Sequence, residues 1–359
     1  MKKIVFTVTN DLSYDQRMDR ICATLVQEGF EVLLVGRKRR KSINLMTKTY
    51  GQKRLFCFFE KGKLFYLEYN IRLFLYLLGL KFDIVCAIDL DTIAPCYFAG
   101  RIKNKKLVYD SHEYYTEVIE VVRRPKIQQF WSRVEAYFVP KYDACYTVSE
   151  SIAKIYNDTY FSNFKVIRNV SKLENYGMPD KTEDYLIYIG AVNEGRGLEQ
   201  TIKAMQHIDM PLYVCGDGDI FDQMVDLVKT LKLENKVKML GYVLPDQLKK
   251  YTRNAFAGIL LLDAISKSYY YSLANKFFDY IHAGIPQITI DFPEYRIINE
   301  QYQVAELIQL REEELVEAVN KLISNKMYYQ TLKANTVSAR MKYNWQTEAE
   351  ELVKIYRNL

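Results

Sequence analysis

Along the chain, short apolar runs alternate with segments whose apolar residues recur every three or four positions. In the first half, runs rich in β-branched and aromatic residues fall at Lys3–Thr9, Phe30–Val35, Asp83–Ile88, Lys106–Asp110 and Ala144–Val148, which suits buried strands. Between the first two, Met18, Ile21, Cys22 and Leu25 follow i, i+3, i+4, i+7 spacing and Gly29 supplies a stop, which predicts a helix. The rhythm then restarts: Tyr185–Ile189, Pro211–Val214, Val237–Leu240, Ala255–Leu262 and Pro286–Ile290 read as strands. Helical segments separate them, such as Gly197–His207 with Leu198, Ile202 and Met205 on one face. Strands alternating with helices are the pattern of parallel-sheet units. Two such units are expected, over residues 1–168 and 169–340, joined near Ile167–Asp180. A last helix within 341–359 (Ala349, Leu352, Val353 and Tyr356 on one side) is expected to pack back toward the first. The expected fold class is α/β, two Rossmann-like domains facing across a cleft, with the chemistry just beyond the carboxyl ends of strands.

Composition narrows the class. Of 359 residues, 49% are hydrophobic and 26% charged, which fits a folded globular chain and argues against disorder. The apolar stretch of the N-terminus is only Ile4 to Val8, which predicts a first strand in place of a signal peptide. The longest apolar patch, Leu73 to Leu80, is far short of the ~20 residues that span a bilayer. The chain is therefore expected in the cytoplasm, at most on the inner face of a membrane. Six scattered cysteines without Cys-x-x-Cys pairs, beside three histidines, read as free thiols, with no metal site expected. Charge is uneven: +10 up to Val170 and −4 thereafter. Basic clusters at Arg37–Lys41, Arg101–Lys106 and Arg123–Arg124 suit either an anionic partner or solvated surface. Together with Phe74 and Tyr76 in the apolar patch, they make an anionic membrane surface one candidate partner; a buried helix is the alternative. No recognised motif supports nucleic-acid binding.

In the C-terminal half, strand Tyr185–Ile189 runs into Gly190-Ala191-Val192-Asn193-Glu194-Gly195-Arg196-Gly197. Glycines at such a turn admit a ligand to the backbone, and an arginine there can clamp phosphate. The next strand ends in Gly216-Asp217-Gly218. Further on, Ser272 reads as the N-cap of a helix whose apolar face is Leu273, Phe277, Tyr280 and Ile281, stopped by Gly284 and Pro286. The N-terminus of that helix suits a phosphate. Lys276 and Asp279, three apart, share a face there: the lysine can meet phosphate charge and the carboxylate can accept from ribose hydroxyls. A plain turn and a surface ion pair remain the structural alternatives.

In order and spacing, Gly190 to Gly197, Gly216 to Gly218 and Ser272 to Pro286 resemble the donor domain of family 4 glycosyltransferases of the GT-B fold. Arg196-Gly197 matches the family's basic-residue–glycine step, and Phe278 to Pro286 matches the end of its Glu-x7-Glu motif. The resemblance implies a retaining transferase that takes a nucleotide-diphosphate sugar as co-substrate, with no separate cofactor. It makes Asp279 the ribose ligand and Arg196 and Lys276 the neutralisers of the diphosphate. Gly190, Gly197, Gly216, Gly218, Tyr242, Ser272, Leu273, Ala274 and Asn275 are the other expected donor contacts. Two positions depart from the family: Tyr271 stands where the motif has its first Glu, and Ala191 where the family has an Arg.

The N-terminal half lacks G-x-G-x-x-G after its first strand, which argues against a nicotinamide dehydrogenase. Asp15, Arg17 and Asp19 resemble an Asp-x-Arg opening of some family members; helix-start acids with a surface ion pair are the alternative. Asp89-Leu90-Asp91 looks like a metal-binding pair, but two lone carboxylates make a thin magnesium site and acceptor contact is the reading preferred. After strand Lys106–Asp110, His112 is well placed to touch ligand, with Glu113 beside it, and resembles the family's acceptor-side histidine; a satisfied packing histidine is the alternative. Expected catalytic residues are thus His112, Arg196 and Lys276, and the expected acceptor side is Asp15, Arg17, Asp89, Asp91, His112 and Glu113. The acceptor implied is a saccharide or lipid-linked saccharide of surface polysaccharide or glycolipid assembly. A catalytically inactive nucleotide-sugar-binding protein and an epimerase on the same fold stay open.

Overall fold

The computed structural model describes residues 1–174 and 183–359; the part of the expected join from 175 to 180 lies outside the described residues. It divides into two compact units, Met1–Asn169 with Glu348–Leu359, and Val170–Thr347.

The first unit holds one parallel sheet of β1 (Lys3–Thr7), β2 (Glu31–Lys38), β3 (Gly51–Phe56), β4 (Ile84–Ile88), β5 (Lys106–Ser111), β6 (Ala144–Thr147) and β7 (Phe164–Val166), in the order β3-β2-β1-β4-β5-β6-β7. The second holds β8 (Leu186–Ile189), β9 (Leu212–Cys215), β10 (Val237–Gly241), β11 (Ala257–Leu260), β12 (Gln287–Ile290) and β13 (Ala305–Ile308), in the order β10-β9-β8-β11-β12-β13. Every pairing in both is parallel. Both units are therefore doubly wound, and the strand order reverses between β1 and β4 and between β8 and β11. A ligand crevice is expected beyond the carboxyl ends of these pairs.

Strands β4, β8, β11 and β12 are buried along their whole length, the reason each reads as an unbroken apolar run. The strands that apolar runs did not signal are β3, β7 and β13, all at sheet edges. An edge strand has one covered flank, so Gly51-Gln52-Lys53-Arg54-Leu55-Phe56 can be polar and still pair.

In the second unit, Tyr280 is wholly buried and ties the helix Asn275–Ala283 to the sheet. Its single hydroxyl proton is shared between the carbonyls of Ile187 (3.2 Å) and Ile259 (3.1 Å), and its oxygen accepts from Ile189 N (3.3 Å). Gly258 makes room for that ring: a Cβ there would lie 2.5 Å from it. In the first unit, the end of the helix Trp345–Arg357 is folded into the core through Tyr356, whose ring centre lies 5.7 Å from that of Phe6 and whose hydroxyl is 3.2 Å from that of Tyr146. All six cysteines are buried and free.

The helix Gly62–Gly79 contains most of the Leu73–Leu80 patch and is neither fully buried nor polar outside. Phe65, Tyr69, Leu73 and Leu77 face inward, whereas Leu64, Leu67, Ile71 and Leu75 are each more than half exposed. The exposed apolar face is thus this stripe, with Phe74 and Tyr76 only half-buried beside it.

Candidate functional site

At the carboxyl end of the first sheet, the polar groups are bonded mainly to one another. Asp110 sits at the end of β5 with no exposure; its Oδ1 accepts from Arg17 Nη2 (3.1 Å) and its Oδ2 is 3.0 Å from His112 Nε2. Burial alone would raise the Asp110 pKa, but the Arg17 guanidinium and the His112 ring outweigh it and hold the carboxyl below its usual range. Burial likewise disfavours a charged His112, yet the Asp110 carboxylate outweighs that and raises the imidazole pKa. Arg17, expected on the acceptor side or in a surface pair, is instead buried: its Nη1 donates to Ile167 O (3.0 Å) and its Nε has no hydrogen-bond partner among the described residues.

Asp89 carries a backbone φ of 54°, rare for any residue but glycine. Two bonds hold it there: its N–H donates to Asp110 O (2.9 Å), and its Oδ1 accepts from His112 N (2.8 Å). Such strain costs about 1–3 kcal/mol and persists only where neighbours enforce it. Burial pushes the Asp89 pKa up to about 7, against the nearby His112 charge, which lowers it. Asp91 accepts from Thr9 Oγ1 (2.9 Å) and from the Tyr115 hydroxyl, and burial raises its pKa as well. Asp15 caps the helix Gln16–Gln27 by accepting from Met18 N (2.9 Å), the plain helix-start role. Asp19 accepts from the Tyr50 hydroxyl (3.0 Å) and meets Lys48 (3.1 Å). Glu113 is exposed beside His112.

The carboxyl end of the second sheet is built differently. Gly190 follows β8 and Gly216 follows β9; a Cβ on Gly216 would lie 1.7 Å from Gly190 O, so only glycine fits. Gly218 is as tight: a Cβ there would lie 2.4 Å from Val192 O and 2.2 Å from Asn193 Oδ1. Asn193 also accepts from Asp219 N (3.0 Å), closing one turn onto the other. Gly195 and Gly197 have φ of 76° and 63°, and Gly197 opens the helix Leu198–Ala204. Arg196 is half-buried, with its guanidinium 5.0 Å from the Tyr269 ring centre. Among the described residues it meets no carboxylate, and its buried Nε has no hydrogen-bond partner.

Lys276 and Asp279 flank the same turn. The Lys276 stem passes 3.9 Å from where a Gly190 Cβ would be. Lys276 Nζ donates to Asp279 Oδ2 (3.1 Å), and Asp279 Oδ1 accepts from Ser171 Oγ (3.0 Å). An ammonium has three donors and a carboxylate about four acceptor sites, so both keep capacity for a ligand. Ser272 does not cap this helix: Ala274 occupies the N-cap, and Ser272 Oγ donates back to Tyr269 O (2.7 Å) to close the preceding turn. Leu273 is buried, Ala274 donates its N–H to the Tyr295 hydroxyl (3.1 Å), and Asn275 is exposed at the helix start. Tyr242 is exposed just after β10. His282 is buried, its Nε2 2.8 Å from Tyr343 O, and His207 is exposed.

Residues to which the sequence assigned no role are Asp110, Thr9, Asn193 and Ser171. Asp110 had a signal, an acid ending an otherwise apolar strand two residues before a histidine. Ser171 had none, since it meets Asp279 only through the fold. Among the described residues no helix is long and apolar enough to cross a membrane, and no group of three or more His, Cys, Asp or Glu could hold a metal ion.

The family model for glycosyl transferases group 1 matches residues 173–338, and that for glycosyltransferase family 4 matches residues 16–171. An uncharacterized glycosyltransferase of Methanocaldococcus jannaschii is 24% identical over 181 residues, 49% of this chain and 45% of that protein, so the match spans under half of that relative's length. Among solved structures, the chain is similar to sucrose-phosphate synthase of Thermosynechococcus elongatus (15% identity, 100% of this chain and 99% of that one, TM-score 0.81). It is also similar to Anabaena HepE in complex with UDP and glucose (13% identity, 100% of both chains, TM-score 0.79). At such identities the likeness shows the fold alone.

Proposed function

Because the chain belongs to the group 1, family 4 glycosyltransferases of GT-B fold, we propose that it transfers a sugar from a nucleotide-diphosphate sugar to a hydroxyl acceptor with retention of anomeric configuration. The observation that carries this reading is Arg196: a half-buried cation at a glycine turn beyond the switch-point strand, unmatched by any carboxylate among the described residues. Such a group suits a ligand that brings its own negative charge.

In the proposed reaction the acceptor oxygen bonds to the anomeric carbon from the face the diphosphate leaves. The carbon–oxygen bond to the diphosphate breaks with its electron pair on the diphosphate, and the acceptor proton passes to a diphosphate oxygen. Arg196, Lys276 and the N-terminus of the helix Asn275–Ala283 stabilise that developing charge without a metal ion, so catalysis is mainly electrostatic and positional. Asp279 accepts from the ribose, and His112 with Asp89 and Asp91 lies on the acceptor side. The bound UDP and glucose of the Anabaena relative support a donor of this class.

The acceptor we propose is a lipid-linked saccharide of surface polysaccharide or glycolipid assembly, met on an anionic membrane surface at the cytoplasmic face. Support comes from the exposed stripe Leu64, Leu67, Ile71 and Leu75, exposed Phe58 and Phe59, and the exposed basic side chains Lys61, Lys63 and Arg39 to Lys41 near it. Arg40 N bonds Glu60 (2.8 Å), which brings that basic cluster to the start of the helix. Co-sedimentation with anionic vesicles above the level with neutral ones is expected; equal, background levels would remove the membrane from the account.

A second reading, a chain that binds nucleotide sugar without turning it over, is favoured by Tyr271 and Ala191 at positions where the family has charged side chains. Release of nucleotide diphosphate from UDP-, GDP- and ADP-sugars, with and without chelator, separates the two. Turnover insensitive to chelator, and lowered tenfold or more in both Arg196→Ala and Asp279→Ala, is expected. Binding with no turnover would select the second reading, and undiminished turnover in both variants would remove the donor site.

A further inference from the structure

His112 is oriented by a line of buried charge that begins on a different element. Arg17, near the start of the helix Gln16–Gln27, and Asp110, at the end of β5, are both inside the first unit. A guanidinium can only donate hydrogen bonds, and an ionised carboxylate can only accept them. Asp110 Oδ1, facing Arg17, therefore accepts, and Oδ2 requires a proton on the group it faces, His112 Nε2 (3.0 Å). The backbone locks the ring's base in place as well, since His112 N donates to Asp89 Oδ1 (2.8 Å). The remaining ring nitrogen, Nδ1, bonds nothing among the described residues, and His112 keeps about a quarter of its side chain exposed (23%).

We propose that the Arg17–Asp110 pair is a positioning device for the transfer reaction, fixing His112 as the Nε2-protonated ring so that Nδ1 is presented outward as an acceptor for a ligand hydroxyl. This rests on the transferase reading above only for the identity of that ligand, a hydroxyl of the donor sugar or of the acceptor. Arg17 and Asp110 touch no substrate; they act through His112. The charged groups that face the ring are Asp110, Arg17 and Asp89. The arrangement follows the same logic as the buried aspartate that orients the histidine of a serine protease, where an amide replacement yields the wrong tautomer.

An amide at position 110 makes the test sharp. In Asp110→Asn the side-chain oxygen is claimed by Arg17, which has only donors, so the amide N–H₂ faces His112 and demands an acceptor at Nε2. The proton is then driven to Nδ1, and the ring offers the ligand a donor in place of an acceptor.

Long-range ¹H–¹⁵N spectra of the full chain read the tautomer without any substrate. The chain has three histidines, and His282, bonded to a carbonyl through Nε2, supplies an internal Nε2-protonated reference. Above its pKa, His112 is expected as the Nε2–H form in wild type and as the Nδ1–H form in Asp110→Asn. With a donor that is turned over, kcat in Asp110→Asn is expected to fall roughly 10- to 100-fold, with donor KM within about threefold of wild type and an altered kcat–pH profile. An Nδ1–H ring in wild type overturns the proposal even if the variant fails to fold. So does a folded Asp110→Asn that keeps the Nε2–H form or an unchanged kcat. The stated tautomers with no wild-type turnover of UDP-, GDP- or ADP-sugars would instead refute the transferase reading and leave the ring's orientation established.

Discussion

The carboxyl ends of the two sheets share a topology and differ in how charge is settled. In the first unit, Arg17, Asp110, His112 and Asp89 are bonded in a line, and Asp91 is bonded to Thr9 and Tyr115, so these carboxylates are held before any ligand arrives, with Arg17 Nε and His112 Nδ1 left unbonded among the described residues. In the second, glycines keep the backbone open, Lys276 and Asp279 retain spare hydrogen-bonding capacity, and Arg196 meets no carboxylate among the described residues. One unit offers a preset geometry and the other an unmet positive charge. A reaction that must orient a neutral hydroxyl and also hold an anionic leaving group calls for both.

The sharpest way to break this contrast is to remove one partner of the settled charge. Asp110→Ala strands Arg17 in the interior and should cost about 3–5 kcal/mol of stability, whereas Arg17→Met with Asp110→Leu should recover most of it. A loss below about 1 kcal/mol, by denaturant unfolding, would show that the pair is not structurally committed. Next comes Gly216→Ala, where the new methyl meets Gly190 O; about 3 kcal/mol of destabilisation and loss of nucleotide binding are expected. Arg196→Ala should behave in the opposite way to Asp110→Ala. Stability should stay within about 0.5 kcal/mol of wild type while donor turnover falls tenfold or more, because the guanidinium has no carboxylate partner among the described residues to strand.

The smallest effect is a divergence with pH. Asp89 and buried Glu135 are pushed up to about 7 by burial, and His112 is raised because Asp110 outweighs its burial. Raised folded pKa values contribute stability that is full below the unfolded values and is lost as pH rises through the folded ones, so the first unit should loosen between pH 5 and 8. His282 in the second unit is lowered by burial, so its contribution is present above about 6.5 and lost as pH falls. Hydrogen exchange, corrected for intrinsic rate, should show protection in the first unit falling toward pH 8 and protection around His282 rising. Parallel trends in both units would contradict the difference.

Much of this was legible in the sequence, for identifiable reasons. Strands buried on both faces advertise themselves as apolar runs, and the two glycine turns carry their signal locally because close backbone approach at Gly197, Gly216 and Gly218 leaves no room for a Cβ. The edge strands β3, β7 and β13 were not legible, since one flank needs no apolar cover. Arg17 read as an acceptor-side residue or half of a surface ion pair because its partner Asp110 is 93 positions away, and only the fold makes that pair buried. Ser272 resembled a cap, but the chain closes one more turn before the helix begins at Asn275.

The central claim, that the second unit holds a nucleotide diphosphate through its unmet charge, is tested most directly by hydrogen exchange of the full chain with UDP, GDP and ADP in turn. At 100 times its dissociation constant a bound nucleotide adds ~2.7 kcal/mol. The account predicts that at least one of the three protects residues 190–197, 216–219 and 271–283 in wild type, and that Arg196→Ala abolishes this protection at the same concentration. Protection confined to the first unit, or equal protection in wild type and Arg196→Ala, would contradict it.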